Sequence, residues 1–253
     1  MSWAVSPDKY NRQRGLRSLP HLREQFKSRT DDDHASPAQP PCGRSLLGDF
    51  SDRIAGWDWD VALLQEVPPW WPPALAAAAG AEQRTVRTSR NSLLALRRAI
   101  AERWPDLIKS NGGGSNAVLV RGAIAADRKL MLRRWPERRV AQLVRLESGV
   151  CVVNLHGSAR VELATEELDR LAATARAWAG EAPLVVGGDL NLRQPDAIAH
   201  GLVVAAGYSV DHVLVRGFER VGEPEFPDRH FELGDMRSEL SDHRALIVAL
   251  RAT

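Results

Sequence analysis

The sequence predicts an α+β fold in which layers of β-sheet pack on one another and helices cover the outer faces. Three observations carry that expectation. Apolar runs of strand length outnumber helical patterns. Several follow each other with only a turn between them, as Val140–Leu146 and Val150–Leu155 do around Ser148-Gly149. The clearest helical pattern, Glu162–Trp178, is apolar on one face only.

Residues 1–45 stand apart from the rest. They are polar, carry the acidic run Asp31-Asp32-Asp33 and the prolines Pro37, Pro40 and Pro41, and read as an irregular or partly disordered segment with an atypical first strand. The folded domain is expected over residues 46–253. It opens on Leu46, Leu47, Phe50 and Ile54, at helical spacing within Ser45–Ala55. Val61–Leu64 is a short buried strand. Pro68, Pro69, Pro72 and Pro73, around Trp70 and Trp71, break any continuation. A second helix is expected over Ser92–Trp104, a flexible turn over Asn111–Gly114 and a strand over Asn116–Arg121. In the helix Glu162–Trp178, Ala164, Leu168, Leu171, Ala175 and Trp178 make the apolar face, Glu166, Glu167 and Arg170 lie off it, and Gly180 ends it. Leu184–Val186, Val210–Val215 and Ala245–Leu250 complete the strands.

Composition removes several classes. Hydrophobic residues make up 44% and charged residues 26% of the chain, which is ordinary for a soluble globular protein and unlike a collagen, a coiled coil or a disordered chain. The formal net charge of +2 neither demands nor rejects a polyanionic partner. Most basic residues are arginine, which suits bidentate phosphate contacts, and Arg133, Arg134, Arg138 and Arg139 form a candidate basic strip. No apolar run is long enough to span a membrane, and the first residues carry no basic segment followed by an apolar one. The expectation is a cytoplasmic protein with Cys42 and Cys151 reduced and no obligate protein partner.

The chemistry lies where apolar strands end in polar residues. Four segments do so: Gln65-Glu66, Asn154-Leu155-His156, Gly188-Asp189-Leu190-Asn191 and Ser241-Asp242-His243. Val210-Asp211-His212-Val213 places an acid within a strand, with His212 facing the other side. Strand ends of one sheet project into a common mouth. Glu66 and Asp242 offer hard oxygen ligands suited to Mg²⁺ or Mn²⁺, and no Cys- or His-rich cluster suggests structural zinc. A metal offsets the charge of a phosphodiester, a carboxylate activates water and an imidazole serves the phosphoryl oxygens or the leaving group. Asp189 and Asn191, two apart on a strand, are expected to face one substrate. Asp211 is placed to hold His243 by a hydrogen bond that fixes its tautomer.

The order of these segments resembles the endonuclease/exonuclease/phosphatase superfamily, with its DNase I-like fold, over about residues 45–250. The resemblance implies a four-layer α/β/β/α sandwich of two mixed β-sheets with outer helices. It also implies roles. Glu66 and Asp242 serve the metal. Asp189 activates the water, and Asn191 lies on the phosphate. His243, supported by Asp211, contacts the scissile phosphate, and His156 is the second imidazole. Asn154 belongs to the pattern, and Ser115–Val120 resembles a family strand that makes Asn116 a substrate contact. One departure stands out: in Ser2-Trp3-Ala4-Val5, Ala4 sits where the family places a metal-binding Asn.

Three functions follow. The first is a metal-dependent phosphoesterase cutting phosphodiester bonds in nucleic acid. The second is an enzyme for a smaller phosphate ester or phospholipid head group. The third is an inactive relic or binding module disabled at Ala4.

Overall fold

The computed structural model describes residues 44–89, 91–104, 114–233, 236–241 and 243–253. The irregular segment expected over residues 1–45, including Ala4, lies outside these residues except for Arg44 and Ser45. So do Asp242 and residues 111–113 of the expected turn.

In chain order the elements are α1 (Leu47–Gly56), β1 (Val61–Val67), α2 (Pro72–Ala79), β2 (Glu82–Arg87), α3 (Leu94–Arg103), β3 (Ser115–Val120), β4 (Ile124–Arg133), β5 (Arg139–Leu146) and β6 (Cys151–His156). They continue with α4 (Val161–Ala179), β7 (Leu184–Asp189), a 3-10 turn (Ile198–His200), β8 (Val203–Tyr208), β9 (Asp211–Arg216), β10 (Phe218–Glu225), β11 (His230–Leu233), β12 (Met236–Glu239) and β13 (Ile247–Ala252).

A six-stranded sheet runs β4-β5-β6-β7-β9-β8. It is mixed: β6 and β7 are parallel, joined through α4, and the other neighbours are antiparallel. Facing it are the antiparallel ladders β1-β3-β2 and β10-β13. Alternation gives each strand two apolar faces. The inner ones, with Leu63, Val118, Val144, Val152, Val185, Val213 and Val248, form the core between the sheet layers. Outside the six-stranded sheet, Leu168, Leu171 and Ala175 of α4 cover Leu143, Val153, Val186 and Leu214. On the opposite side, Phe50 and Ile54 of α1 and Leu75 of α2 cover Ala62, Leu64, Ala117 and Leu119. The result is the four-layer α/β/β/α sandwich with outer helices. No helix among the described residues is long and apolar enough to cross a membrane.

Some elements depart from the sequence expectation. The prolines after β1 start a helix as well as ending a strand. Pro72 opens α2, where a missing N–H is harmless and the fixed φ is already helical. The long β4 has a weak apolar signature in the sequence, because it is an edge strand exposed over Ala125–Lys129, and only Leu132 is buried. Arg121 ties the α1–α2 layer to the sheet. Its guanidinium donates to the Ile54, Ala55, Trp57 and Ala79 carbonyls and lies 4.3 Å from the ring centre of buried Trp59.

Candidate active site

Strands β1, β6 and β7 end, and β5 and β9 begin, at one mouth of the sandwich. Register sets a row there. His156 is level with Asp189 across the parallel β6–β7 pair, and Asp189 is level with Asp211 across the antiparallel β7–β9 pair. Val152, Val185 and Val213 on these strands face the inter-sheet core. Alternation turns His156, Asp189 and Asp211 to the same side, where the gap between the sheet layers opens. All three are buried.

Glu66 reaches this row through a local irregularity. Strict alternation would turn it with Ala62 and Leu64 toward the helices. Instead the β1–β3 register slips between Leu64 and Val67, and Glu66 adopts φ 54. A bulge of this kind re-aims a side chain. Glu66 Oε1 lies 3.9 Å from His156 Nε2, which is 3.7 Å from Asp189 Oδ2. From the far side, His243 Nδ1 donates to Asp211 Oδ2 at 2.9 Å, and the His243 N–H donates to Ser241 Oγ at 3.1 Å. One ligand atom each of Asp189, Asp211 and His243 fall within 4.8 Å of one another. Burial pushes the Asp189 carboxyl above the usual carboxylate range. The neighbouring Asp211 charge adds to this, while His243 and the Asn191 N–H pull the other way.

Asn191 arrives by a route that strand alternation does not describe. β7 ends at Asp189, and Asn191 has φ 52. Its N–H donates to Asp189 Oδ1 at 2.9 Å, and its Nδ2 donates to the Gly157 carbonyl at 3.0 Å. The tight turn, rather than a shared strand face, sets Asn191 beside Asp189.

Asn154 and Asn116, both expected at the substrate, lie deeper. Each is fully buried. Asn154 Oδ1 accepts from Gln65 Nε2 at 2.6 Å, and its Nδ2 lies within donating distance of the Leu64 and Ala117 carbonyls and Gln142 Oε1. This polar clamp crosses the two sheet layers and fixes the end of β1 against β6. Asn154 therefore bears on the mouth through Gln65, the residue before Glu66. Asn116 shares the inner face of β3 with Val118 and donates to the Val140 carbonyl at 3.4 Å.

A profile of the Endonuclease/Exonuclease/phosphatase family matches residues 40–243. The chain belongs to this family. No curated protein matches it by sequence. Solved structures do. The endonuclease/exonuclease/phosphatase from Bacteroides vulgatus is 16% identical, covering 82% of this chain and 90% of that one, with a TM-score of 0.60. The human Nocturnin catalytic domain with bound sulfate anion is 15% identical, covering 86% and 89%, with a TM-score of 0.61. TDP2 from Caenorhabditis elegans is 16% identical, covering 81% and 68%, with a TM-score of 0.56. At such identities the likeness is one of fold.

This member of the family also supports its mouth with residues that motif reading passes over. Glu167 of α4, expected off the apolar face, is buried. Its carboxylate accepts from the Ser158 N–H and hydroxyl at 2.8 and 2.7 Å and from Arg133 Nε at 2.7 Å. That pins the β6–α4 loop, whose Gly157 carbonyl holds Asn191. The sequence does carry the signal: position 167 is three after Ala164 and four before Leu171, so it sits on the buried stripe. Gly188 has φ 132, and a Cβ there would lie 2.0 Å from the Leu155 carbonyl oxygen. Only glycine lets β7 approach β6 closely enough to align Asp189 with His156. His212 faces the α4 side, with Nε2 at 2.8 Å from the Leu192 carbonyl, and burial lowers its pKa.

Proposed function

We propose that this chain is a divalent-metal-dependent phosphoesterase that hydrolyses phosphodiester bonds in nucleic acid by metal-assisted attack of water. The observation that carries the reading is the in-register row His156, Asp189 and Asp211, closed at one end by Glu66 and at the other by His243.

The donor set fits a hard cation. Three carboxylates meet two imidazoles without a thiolate, and hard oxygen donors suit Mg²⁺ or Mn²⁺. Burial and a neighbouring carboxylate already make Asp189 costly to ionise, a cost that a nearby cation relieves. Glu66 would hold the ion, with Asp242, assigned from sequence, as its partner. The Asp189, Asp211 and His243 group is a poorer cage, because Asp211 Oδ2 and His243 Nδ1 already engage each other. When bound, the metal offsets the charge of the phosphodiester and of its transition state.

The chain's own groups supply the rest. Asp189, with its raised pKa, takes the proton from the attacking water as that water adds to phosphorus. Asn191, fixed on Asp189 and Gly157, orients the phosphoryl group. The carboxylate of Asp211 keeps the proton on His243 Nδ1 and supports positive charge on the ring, so Nε2 is the atom that addresses the phosphate. His156, between Glu66 and Asp189, is placed to protonate the leaving oxygen.

Hydrolysis of bis-p-nitrophenyl phosphate and of plasmid DNA, in Mg²⁺, Mn²⁺ or EDTA and beside Asp189→Ala, tests the reading. Metal-dependent turnover that the variant loses is expected. Folded wild-type protein with no turnover above the variant in either metal would overturn it.

A further inference from the structure

The row at the mouth does not stop at Asp211. Across the antiparallel β8–β9 pair, Tyr208 is level with Asp211, and directly paired side chains share a face at roughly 5 Å between Cβ atoms. The two residues are joined by the two-residue turn Ser209-Val210, with Ser209 at φ 56. The turn is anchored, because the Val210 carbonyl accepts from the Leu190 N–H at 3.0 Å. Tyr208 is therefore held beside the Asp211–His243 pair by rigid backbone.

Its surroundings are not those of a packing residue. The Tyr208 ring meets Phe226 at 5.3 Å between centres, tilted by 60°. Arg244, the residue after His243, brings its guanidinium to 5.5 Å from the Tyr208 ring centre. Both rings stay open, Tyr208 at 43% and Phe226 at 39% exposure. Two exposed aromatic planes and a cation at the edge of a phosphate-directed mouth form a stacking platform with charge complementary to the phosphate.

We infer that Tyr208, Phe226 and Arg244 form a subsite for the nucleobase next to the bond that is cut, with Tyr208 and Phe226 taking the base and Arg244 a flanking phosphate. The subsite deepens the phosphoesterase reading above and rests on it. It selects a nucleotide polymer over a polyol phosphate or a phospholipid head group, neither of which offers an aromatic plane.

The test separates base recognition from catalysis. Binding of a fluorescein-labelled single-stranded oligonucleotide, and of the same backbone carrying tetrahydrofuran abasic residues, is measured by anisotropy in EDTA for wild type, Tyr208→Ala, Tyr208→Phe and Phe226→Ala. Wild type is expected to prefer the base-bearing strand by about tenfold, the usual worth of one base stacked on an aromatic ring. Tyr208→Ala should lose most of that preference, and Tyr208→Phe, which keeps the ring, should retain it. Equal wild-type affinity for both strands would overturn the inference, as would an equal loss on both strands in Tyr208→Ala. Cleavage of both strands in Mn²⁺ is followed separately. Equal cleavage without base preference sinks the subsite and leaves the phosphoesterase standing. Base-selective binding without cleavage does the reverse.

Discussion

Replacing Asp189 by Asn should make the protein more stable and nearly inactive at once. Asp189 is fully buried, and burial together with the Asp211 charge raises its pKa. Its proton is therefore held more tightly in the folded state than in the unfolded chain. Wherever the folded state binds more protons, stability falls as pH rises. The ionised carboxylate thus opposes folding at pH 7, and the opposition fades as pH drops through the raised pKa toward the ordinary value of 3.8. Asp189→Asn would remove the charge while keeping the shape and an Oδ1 acceptor for the Asn191 N–H, now bonded at 2.9 Å. A change of this kind is worth about 1–2 kcal/mol. At roughly 2–4 °C per kcal/mol for a chain of this size, Tm should rise by about 2–8 °C in EDTA. Turnover in Mn²⁺ should fall about 10²–10⁴-fold with loss of the base. Two further signatures check the cause. The Tm gap should shrink as pH is lowered, because Asn does not titrate and wild type recovers. It should also narrow in saturating Mg²⁺, which stabilises by binding the folded state. A variant that melts below wild type at pH 7 in EDTA, or a gap that widens in acid, would refute the electrostatic argument.

Asp211→Asn should lower kcat about 10²-fold, since a neutral acceptor no longer supports a charged His243 across the 2.9 Å bond, while Tm stays within a few degrees of wild type; steady-state kinetics beside a melt will show it. Glu167→Gln should cost about 1–2 kcal/mol in a urea titration, because the buried carboxylate that accepts from the Ser158 N–H and hydroxyl becomes a neutral amide while Arg133 keeps Glu166, and it should reduce activity through the slackened Gly157–Asn191 contact. Gly188→Ala, whose Cβ would meet the Leu155 carbonyl oxygen at 2.0 Å, should cost more than about 4 kcal/mol and yield little soluble protein; a normal melt would show that β6 and β7 can spread without harm.

Much of this architecture is legible in the sequence, and burial explains which part. Strands β1, β3, β5, β6, β7 and β9 are covered on both faces. They write themselves as largely apolar runs, and a polar residue within or at the end of one is conspicuous. Gln65-Glu66, Asn154, His156 and Asp189 stand out for that reason. Strand β4 is opaque because hydrogen bonds on one edge build it, not burial. Helix α2 is opaque because proline reads as a breaker unless its place at the first turn is known. Glu167 shows a finer failure: its position lies on the buried stripe of α4, and only its charge argues against burial.

The geometry of the mouth is the least legible part, for a physical reason. Strand alternation would turn Glu66 toward the helices, and it would place Asn191 by a strand that has already ended. What aims Glu66, shapes the Asn191 turn and closes the Tyr208–Asp211 hairpin is backbone at φ 54, 52 and 56, in residues that are not glycine. A left-handed residue of that type costs of order 1–3 kcal/mol and persists only where its surroundings enforce it. Here the surroundings are visible: the Asn154–Gln65 clamp beneath Glu66, the Asp189 and Gly157 bonds to Asn191, and the Leu190–Val210 bond across the hairpin. Periodicity reports where a chain is regular, and this mouth is assembled where regularity stops. The sequence can therefore name residues that converge while the directions in which they point come from strained turns held by buried amides, which is why loosening a clamp such as Asn154, bonded to Gln65 at 2.6 Å, should misdirect Glu66.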